Sequence, residues 1–282
     1  MDLISNFSID KKKYSLNITG NLANSTDEVL LEKEDNIISK TNWQLSGFTI
    51  LRLLDKNTQK NLQDSVISFL TEKINTIFKE ISLKDSELKN YHKLVNNNQH
   101  YELLRALEGG NGEYSKIRFK DINFDKKILE DAVSDELKIK VSTKNRYSDE
   151  IDPDTFSFRV VRPNQYDFNP PHKDIYLDRL KNGVNIYMPI IGSNKFSSLP
   201  IFPGSHLYNE KDISRTENGC IINKKKFRVP SIINTKFGFD LIRPNPSKDE
   251  ILLFSPYLIH GGGSNDNKDI TRVSLELRFW RV

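Results

Sequence analysis

A single cysteine, Cys220, stands in 282 residues, so neither an internal disulfide framework nor a paired-cysteine metal knuckle can form. Histidine is nearly as scarce: with five in the chain, any metal site draws on very few nitrogen ligands. No run approaches the roughly 18 uninterrupted apolar residues of a membrane span, and the best candidate, Ile251 to Ile259, is broken by Ser255, Pro256 and Tyr257. Residues Met1 to Ser15 hold no apolar h-region, so a secretory signal is not expected and the chain reads as cytoplasmic, where the sequons at Asn17 and Asn24 carry no meaning. Charge of one sign is lacking too, the balance being +4 from 42 basic and 38 acidic residues. The short basic clusters Lys11 to Lys13 and Lys224 to Lys226 are not interleaved with aromatics, so no nucleic acid and no membrane surface is expected as a partner.

What is present suits a globular fold, with 37% hydrophobic and 10% aromatic residues in a chain long enough to bury a core. The reading is one domain over 1–282. Residues 1–42 are polar, with a weak alternation around Tyr14 to Ile18, and read as an N-terminal extension or a peripheral strand. Residues 43–150 read as a mainly helical layer. Leu45 to Leu54 suits a strand, after which Asn57 and Thr58 offer an N-cap. Leu62, Val66, Phe69, Leu70, Ile74, Ile77 and Phe78 then recur at spacings of three and four, the period of an amphipathic helix of about five turns. A second helix is expected over His100 to Glu108, closed by Gly109 and Gly110, and a third over Asp125 to Lys138. After 150 the helical period gives way to short β-rich runs: Phe156 to Val161, Val184 to Ile190, Pro200 to Phe202, Ile251 to Phe254 and Arg272 to Phe279. Helices first and strands afterwards indicate an α+β architecture with a mainly β core.

The chemistry-bearing residues lie in that β half. In Pro171-His172-Lys173-Asp174 an extended backbone turns His172 and Asp174 to one side; a surface histidine beside a turn aspartate is the bland alternative. His260 closes an apolar strand and precedes Gly261-Gly262-Gly263, which lets the backbone approach a neighbour closely, although a plain hairpin turn would look the same. From Arg272 onward, alternation places Arg272, Ser274, Glu276 and Arg278 on one face and Val273, Leu275, Leu277 and Phe279 on the other. An Arg with a neighbouring Ser can clamp a carboxylate, while a solvated polar face is the ordinary reading. Taken together the signals gain force. Two His and one carboxylate are the facial triad of non-haem Fe(II) oxygenases, which leaves open positions for a cosubstrate and O2.

The chain also resembles a family. Pro203-Gly204-Ser205-His206, lying between the His-x-Asp and the distal His, is similar to a segment of the phytanoyl-CoA dioxygenase family of Fe(II)/2-oxoglutarate oxygenases. So are Pro171 to Asp174, the strand ending in Met188-Pro189, His260 with Ser264-Asn265, Arg272, and the early Gly47 to Leu51. Tyr187 stands where that family often has Trp, and the glycine triplet after His260 is unusual for it. The resemblance implies a double-stranded β-helix (a cupin-like jelly roll) over 151–282 with flanking N-terminal helices. It implies that His172, Asp174 and His260 ligate Fe(II) and that Arg272 pairs with the distal carboxylate of 2-oxoglutarate, for which Ser274, its neighbour on the strand face, is a candidate second donor. Tyr187, Asn185 and Gln165 are candidates for contacts to the cosubstrate or behind the ligands. His206 is expected to be structural, and His92 and His100 to be surface or packing residues. The expected reaction is hydroxylation of a C–H bond in a small-molecule substrate, with O2 consumed and succinate and CO2 released. Arg159, Arg162, Arg179, Arg215, Arg228 and Arg243 fall in the segments expected around the substrate, which favours an anionic one. A cupin-type metal-dependent isomerase or epimerase and a non-catalytic jelly-roll binding protein are the rival readings.

Overall fold

The computed structural model describes residues 1–31, 36–108, 115–166 and 169–282. The chain opens with strands β1 (Asp2–Ile9), β2 (Lys12–Thr19) and β3 (Phe48–Leu51). Helices α1 (Lys56–Ile77), α2 (Tyr91–Leu94) and α3 (Asn97–Glu108), strand β4 (Ser115–Arg118) and helix α4 (Lys126–Leu137) follow. The next strands are β5 (Val141–Ser142), β6 (Thr155–Val161), β7 (Gln165–Tyr166) and β8 (Gly183–Ile191). Then come β9 (Ile213–Arg215), β10 (Cys220–Ile222), β11 (Lys225–Phe227), β12 (Ile232–Thr235), β13 (Asp240–Leu241), β14 (Ile251–Phe254), β15 (Ser264–Asn265) and β16 (Arg272–Arg281). The glycine pair expected to close α3 lies outside the described residues. No described helix is long and apolar enough to cross a membrane.

Helix α1 starts where Asp55, in extended backbone, accepts the amides of Asn57 and Thr58 at 2.9 and 3.0 Å. The cap is therefore Asp55, not Asn57 or Thr58: its carboxylate already satisfies the free amides of the first turn, and those two residues are helical. Along α1, Leu62, Val66, Leu70 and Ile74 fall on one buried face. They share a core with Leu129, Val133 and Leu137 of α4 and with one face of a seven-stranded sheet ordered β3-β14-β8-β16-β6-β4, β5 adding to β16. That face comprises Val184, Ile186, Met188 and Ile190 of β8 and Val273, Leu275, Leu277 and Phe279 of β16. Each such side chain contributes about 1.5–3 kcal/mol of hydrophobic stabilisation. Strand β8 is buried on both faces, which explains its near-continuous apolar run within antiparallel pairing. Its alternate residues Asn185 and Tyr187 point away from the helices, as do Arg272, Ser274, Glu276 and Arg278 on β16.

Residues 1–42 are more than an extension. Strands β1 and β2 pair as a hairpin and sit inside a five-stranded sheet, β11-β10-β2-β1-β13, whose other members all come from beyond residue 219. Strand β1 runs parallel to β13, with Ser8 opposite Asp240. Phe7, Ile9 and Tyr14 form a second core with Phe239, Leu241 and Ile259. The alternation of β1 is masked in the sequence by Asn and Ser, because Ser5 is buried and hydrogen-bonded to the Ile232 carbonyl at 2.9 Å. Pro200 to Phe202 is not a strand; only Ile201 bridges, to Ile242 and to His260, since Pro200 and Pro203 cannot donate to a ladder.

Candidate metal centre

His172 and His260 face each other as an isolated antiparallel bridge, each amide donating to the other's carbonyl at 2.9 and 3.0 Å. Register therefore brings the two rings together, with centroids 4.4 Å apart. Two residues on, the Asp174 amide donates to the Pro256 carbonyl at 3.0 Å, and a single turn of 3-10 helix starts at Asp174. Backbone alternation sends the Lys173 side chain the opposite way. Its ammonium donates to Glu210 at 2.8 Å in a wholly buried pair, and the Tyr176 hydroxyl also donates to Glu210, at 3.1 Å.

His172 Nδ1 lies 2.7 Å from the Pro170 carbonyl and His260 Nδ1 lies 2.9 Å from that of Leu258. A carbonyl only accepts, so each Nδ1 donates to it, which turns both Nε2 atoms toward the space they share with Asp174. These Nε2 atoms lie 3.2 and 3.6 Å from Asp174 Oδ1, and the three ligand atoms fall within 4.8 Å of one another. All three residues are buried. Burial by itself would raise the Asp174 carboxyl, but Arg278, then His260 and His172, hold it well below the usual carboxylate range. Burial, with His172 next to it, pushes His260 down to about 4, so its ring is neutral near pH 7. The glycines after His260 serve this geometry: Gly261 has φ +96° and its missing Cβ would stand 2.8 Å from the Pro170 carbonyl and 3.1 Å from His172 Nδ1.

The other expected site residues separate into groups. Asn185 touches the triad directly, its Nδ2 donating to Asp174 Oδ2 at 2.9 Å. Arg272 is buried on the same face of β16, its guanidinium 5.9 Å from the Tyr187 ring centroid and donating to the Ser197 carbonyl at 2.8 Å. Ser274, two residues on, has a buried hydroxyl with no hydrogen-bond partner. The Tyr187 hydroxyl is 2.8 Å from Ser193. Gln165 is exposed on β7, opposite Asn265. His206 is buried with Nε2 on the Gln44 carbonyl at 2.8 Å, a structural placement. His92 pairs with Asp269 and Thr271, and His100 is buried against Tyr91.

Two contributors went unassigned on sequence. Arg278 donates Nε and Nη2 to Asp174 Oδ2 at 3.1 and 3.0 Å; the strand alternation that placed it beside Arg272 and Glu276 was the signal. Glu210, the partner of Lys173, has no signal in the local sequence.

A cavity of about 230 Å³ opens beside Asp174 and Arg278. Its walls carry Arg159, Arg179 and Arg228, with Lys116 and the acids Glu150 and Glu276. Three of the six expected arginines thus gather there. The others do not: Arg162 reaches Asn97, Arg215 lies over Tyr176, and Arg243 is buried on the carbonyls of Ser198 and Ser264. Arg159 is ion-paired with Glu276 across β6 and β16, and Arg179 lies 3.5 Å from Glu150. A smaller space of about 20 Å³, lined by both histidines, shares Arg159, Glu276 and Arg278 with this cavity.

The chain matches no protein-family model and no curated protein. Among solved structures it is similar to AviO1 from Streptomyces viridochromogenes, at 14% identity over 90% of this chain and 96% of that one, with a TM-score of 0.47. It is similar also to EctD from S. alaskensis in its apo form, at 10% identity over 94% and 84% of the two chains, with a TM-score of 0.47. EctD with 2-oxoglutarate and 5-hydroxyectoine aligns at 10% identity over the same shares, 94% and 84%, with a TM-score of 0.44. The resemblance to the phytanoyl-CoA dioxygenase family stands on the motif residues themselves.

Proposed function

We propose that this chain is an Fe(II)- and 2-oxoglutarate-dependent oxygenase that hydroxylates an unactivated C–H bond of a small anionic metabolite. The observation that carries the reading is the convergence of two imidazole nitrogens and one carboxylate oxygen in a buried space. That donor set fits Fe(II): borderline nitrogen ligands, one hard anionic oxygen, rings fixed from behind by backbone carbonyls, and no thiolate. With iron bound, 2-oxoglutarate and O2 would supply an oxidant able to break an unactivated C–H bond, with succinate and CO2 as by-products.

The chain's own residues do the rest. His172, Asp174 and His260 would hold the metal. Arg272 offers a guanidinium fork to the distal carboxylate of 2-oxoglutarate, and the unpartnered hydroxyl of Ser274, next on that face, is a second donor for it. Tyr187 backs Arg272, and Gln165, exposed on β7, belongs to the rim. The cavity beside Arg278 takes the substrate. Its cations outnumber its carboxylates, and Arg228 makes no ion pair among the described residues, which supports a negatively charged substrate. The hold of Asn185 and Arg278 of the large sheet on Asp174, with Ile259 beside His260 packed against Phe7 and Ile9, supports the double-stranded β-helix reading, and the cores shared between distant segments support a single unit over 1–282.

Anaerobic titration with Fe(II) and 2-oxoglutarate tests this. The wild-type protein is expected to develop the visible charge-transfer band of an iron-bound 2-oxo acid, and His172→Ala to lose it. Absence of the band in wild type, or its persistence in His172→Ala, overturns the oxygenase reading. Turnover without O2 and 2-oxoglutarate would favour the isomerase instead. With the band in hand, a panel of small anions scored by succinate release identifies the substrate.

A further inference from the structure

The two oxygens of Asp174 are given to different partners. Oδ1 faces His172 and His260 at 3.2 and 3.6 Å. Oδ2 accepts three N–H groups: Arg278 Nε at 3.1 Å, Arg278 Nη2 at 3.0 Å and Asn185 Nδ2 at 2.9 Å. Three donors, two of them charged, exhaust the lone-pair directions of one carboxylate oxygen. A cation acting only as a counter-charge would be as well placed on Oδ1, yet Oδ1 is left to the imidazoles.

The backbone fixes this division. Arg278 on β16 and Asn185 on β8 are directly opposite in the antiparallel register, so both side chains rise from one face of the sheet to the same oxygen. The flanking residues Leu277 and Phe279 are locked in the helix-facing core, which fixes the backbone from which the Arg278 side chain rises. Glu276, the other acid on this face, is taken by Arg159 and does not draw Arg278 away.

We propose that Arg278, with Asn185, is a positioning residue that restricts Asp174 to one-oxygen ligation of the metal, keeping open the places needed by the two-oxygen chelation of 2-oxoglutarate. This rests on the oxygenase reading above. Without the guanidinium, Oδ2 is free to turn onto the metal and occupy one of those places. The same change removes a positive charge that favours a dianionic cosubstrate. Both consequences weaken 2-oxoglutarate binding.

The test uses Co(II) as a spectroscopic probe in the full chain, comparing wild type with Arg278→Gln, Arg278→Lys and Asn185→Ala. Arg278→Gln is expected to alter the visible d–d bands of bound Co(II) and to raise the Kd for 2-oxoglutarate at saturating metal by about 10- to 100-fold, the usual range for loss of a partner behind a ligand. Arg278→Lys, which keeps the charge and one donor, is expected to recover part of the affinity. Asn185→Ala keeps the charge and removes one donor, so a shift of its d–d bands in the same sense ties the effect to carboxylate geometry rather than to charge. Should Arg278→Gln fail to fold, the other two variants carry the comparison. Wild-type spectra and 2-oxoglutarate affinities within twofold of wild type in the folded variants overturn this inference alone. Failure of the wild-type protein to bind Co(II) overturns the metal-site reading on which it rests.

Discussion

Acid is expected to destabilise the metal-free protein through His100, a residue far from the metal ligands in the chain. His100 is buried, its Nδ1 lies 3.0 Å from the hydroxyl of Tyr91, and Tyr91 is itself fully buried. Burial first, then the charges of Arg162 and Lys225, push the ring down to about 4. In the unfolded chain the same ring titrates near 6.5. Between these values the unfolded state binds a proton that the fold rejects, so the stability tied to His100 is complete above about pH 6.5 and is lost as pH falls toward 4. The two pKa values fix the magnitude: about 2 kcal/mol lost by pH 5 and about 3 kcal/mol by pH 4. Against a usual total of 5–15 kcal/mol the effect is measurable. Urea unfolding followed by circular dichroism at pH 7, 6 and 5, in buffer freed of metal, gives the slope. His100→Gln keeps an acceptor for the Tyr91 hydroxyl but cannot take a proton, so the wild type should lose about 2 kcal/mol more than the variant between pH 7 and pH 5. Equal slopes for the two proteins would falsify the assignment.

Two further substitutions probe the support behind the triad. Gly261→Ala forces a methyl against the Pro170 carbonyl that holds His172, at a φ of +96°; Co(II) affinity measured by competition with a chelator is expected to fall about tenfold or more, and unchanged affinity would refute the role given to that glycine. Glu210→Gln leaves the Lys173 ammonium buried without its counter-charge. That variant is expected to lose about 3–5 kcal/mol in urea unfolding, and a loss below 1 kcal/mol would show that the buried Lys173 does not depend on the charge of Glu210.

The triad was legible because its signals are local: an extended His-x-Asp, a histidine at a strand end, and an alternating strand whose apolar half, Val273 to Phe279, does pack under the helices. Helices α1 and α4 were legible from their apolar period, while the cap at Asp55 was missed because Asn57 and Thr58 are equally good capping types and only backbone conformation separates them. What stayed hidden is long-range. The burial of Ser5, the Lys173–Glu210 pair and the hold of Arg278 on Asp174 each join residues separated by tens to hundreds of positions, and no periodicity encodes them. The N-terminal strands were underrated for the same reason, since their apolar partners lie beyond residue 219.

That placement of β1 bears on how the chain is made. Residues 2–9 leave the ribosome long before Asp240 and Leu241, beside which Ser8 and Ile9 finally lie. At about 5–20 residues per second the wait is on the order of ten seconds or more. During it the hairpin has strand edges but no sheet, while the helical layer and the first strands of the large sheet can already assemble. Ile9 then packs with Leu241 and Ile259, so the stretch that leads directly to His260 gains its last wall only when this earlier-made segment docks. Folding of the ligand set is therefore expected to be a late event, gated by a segment synthesised more than 200 residues earlier.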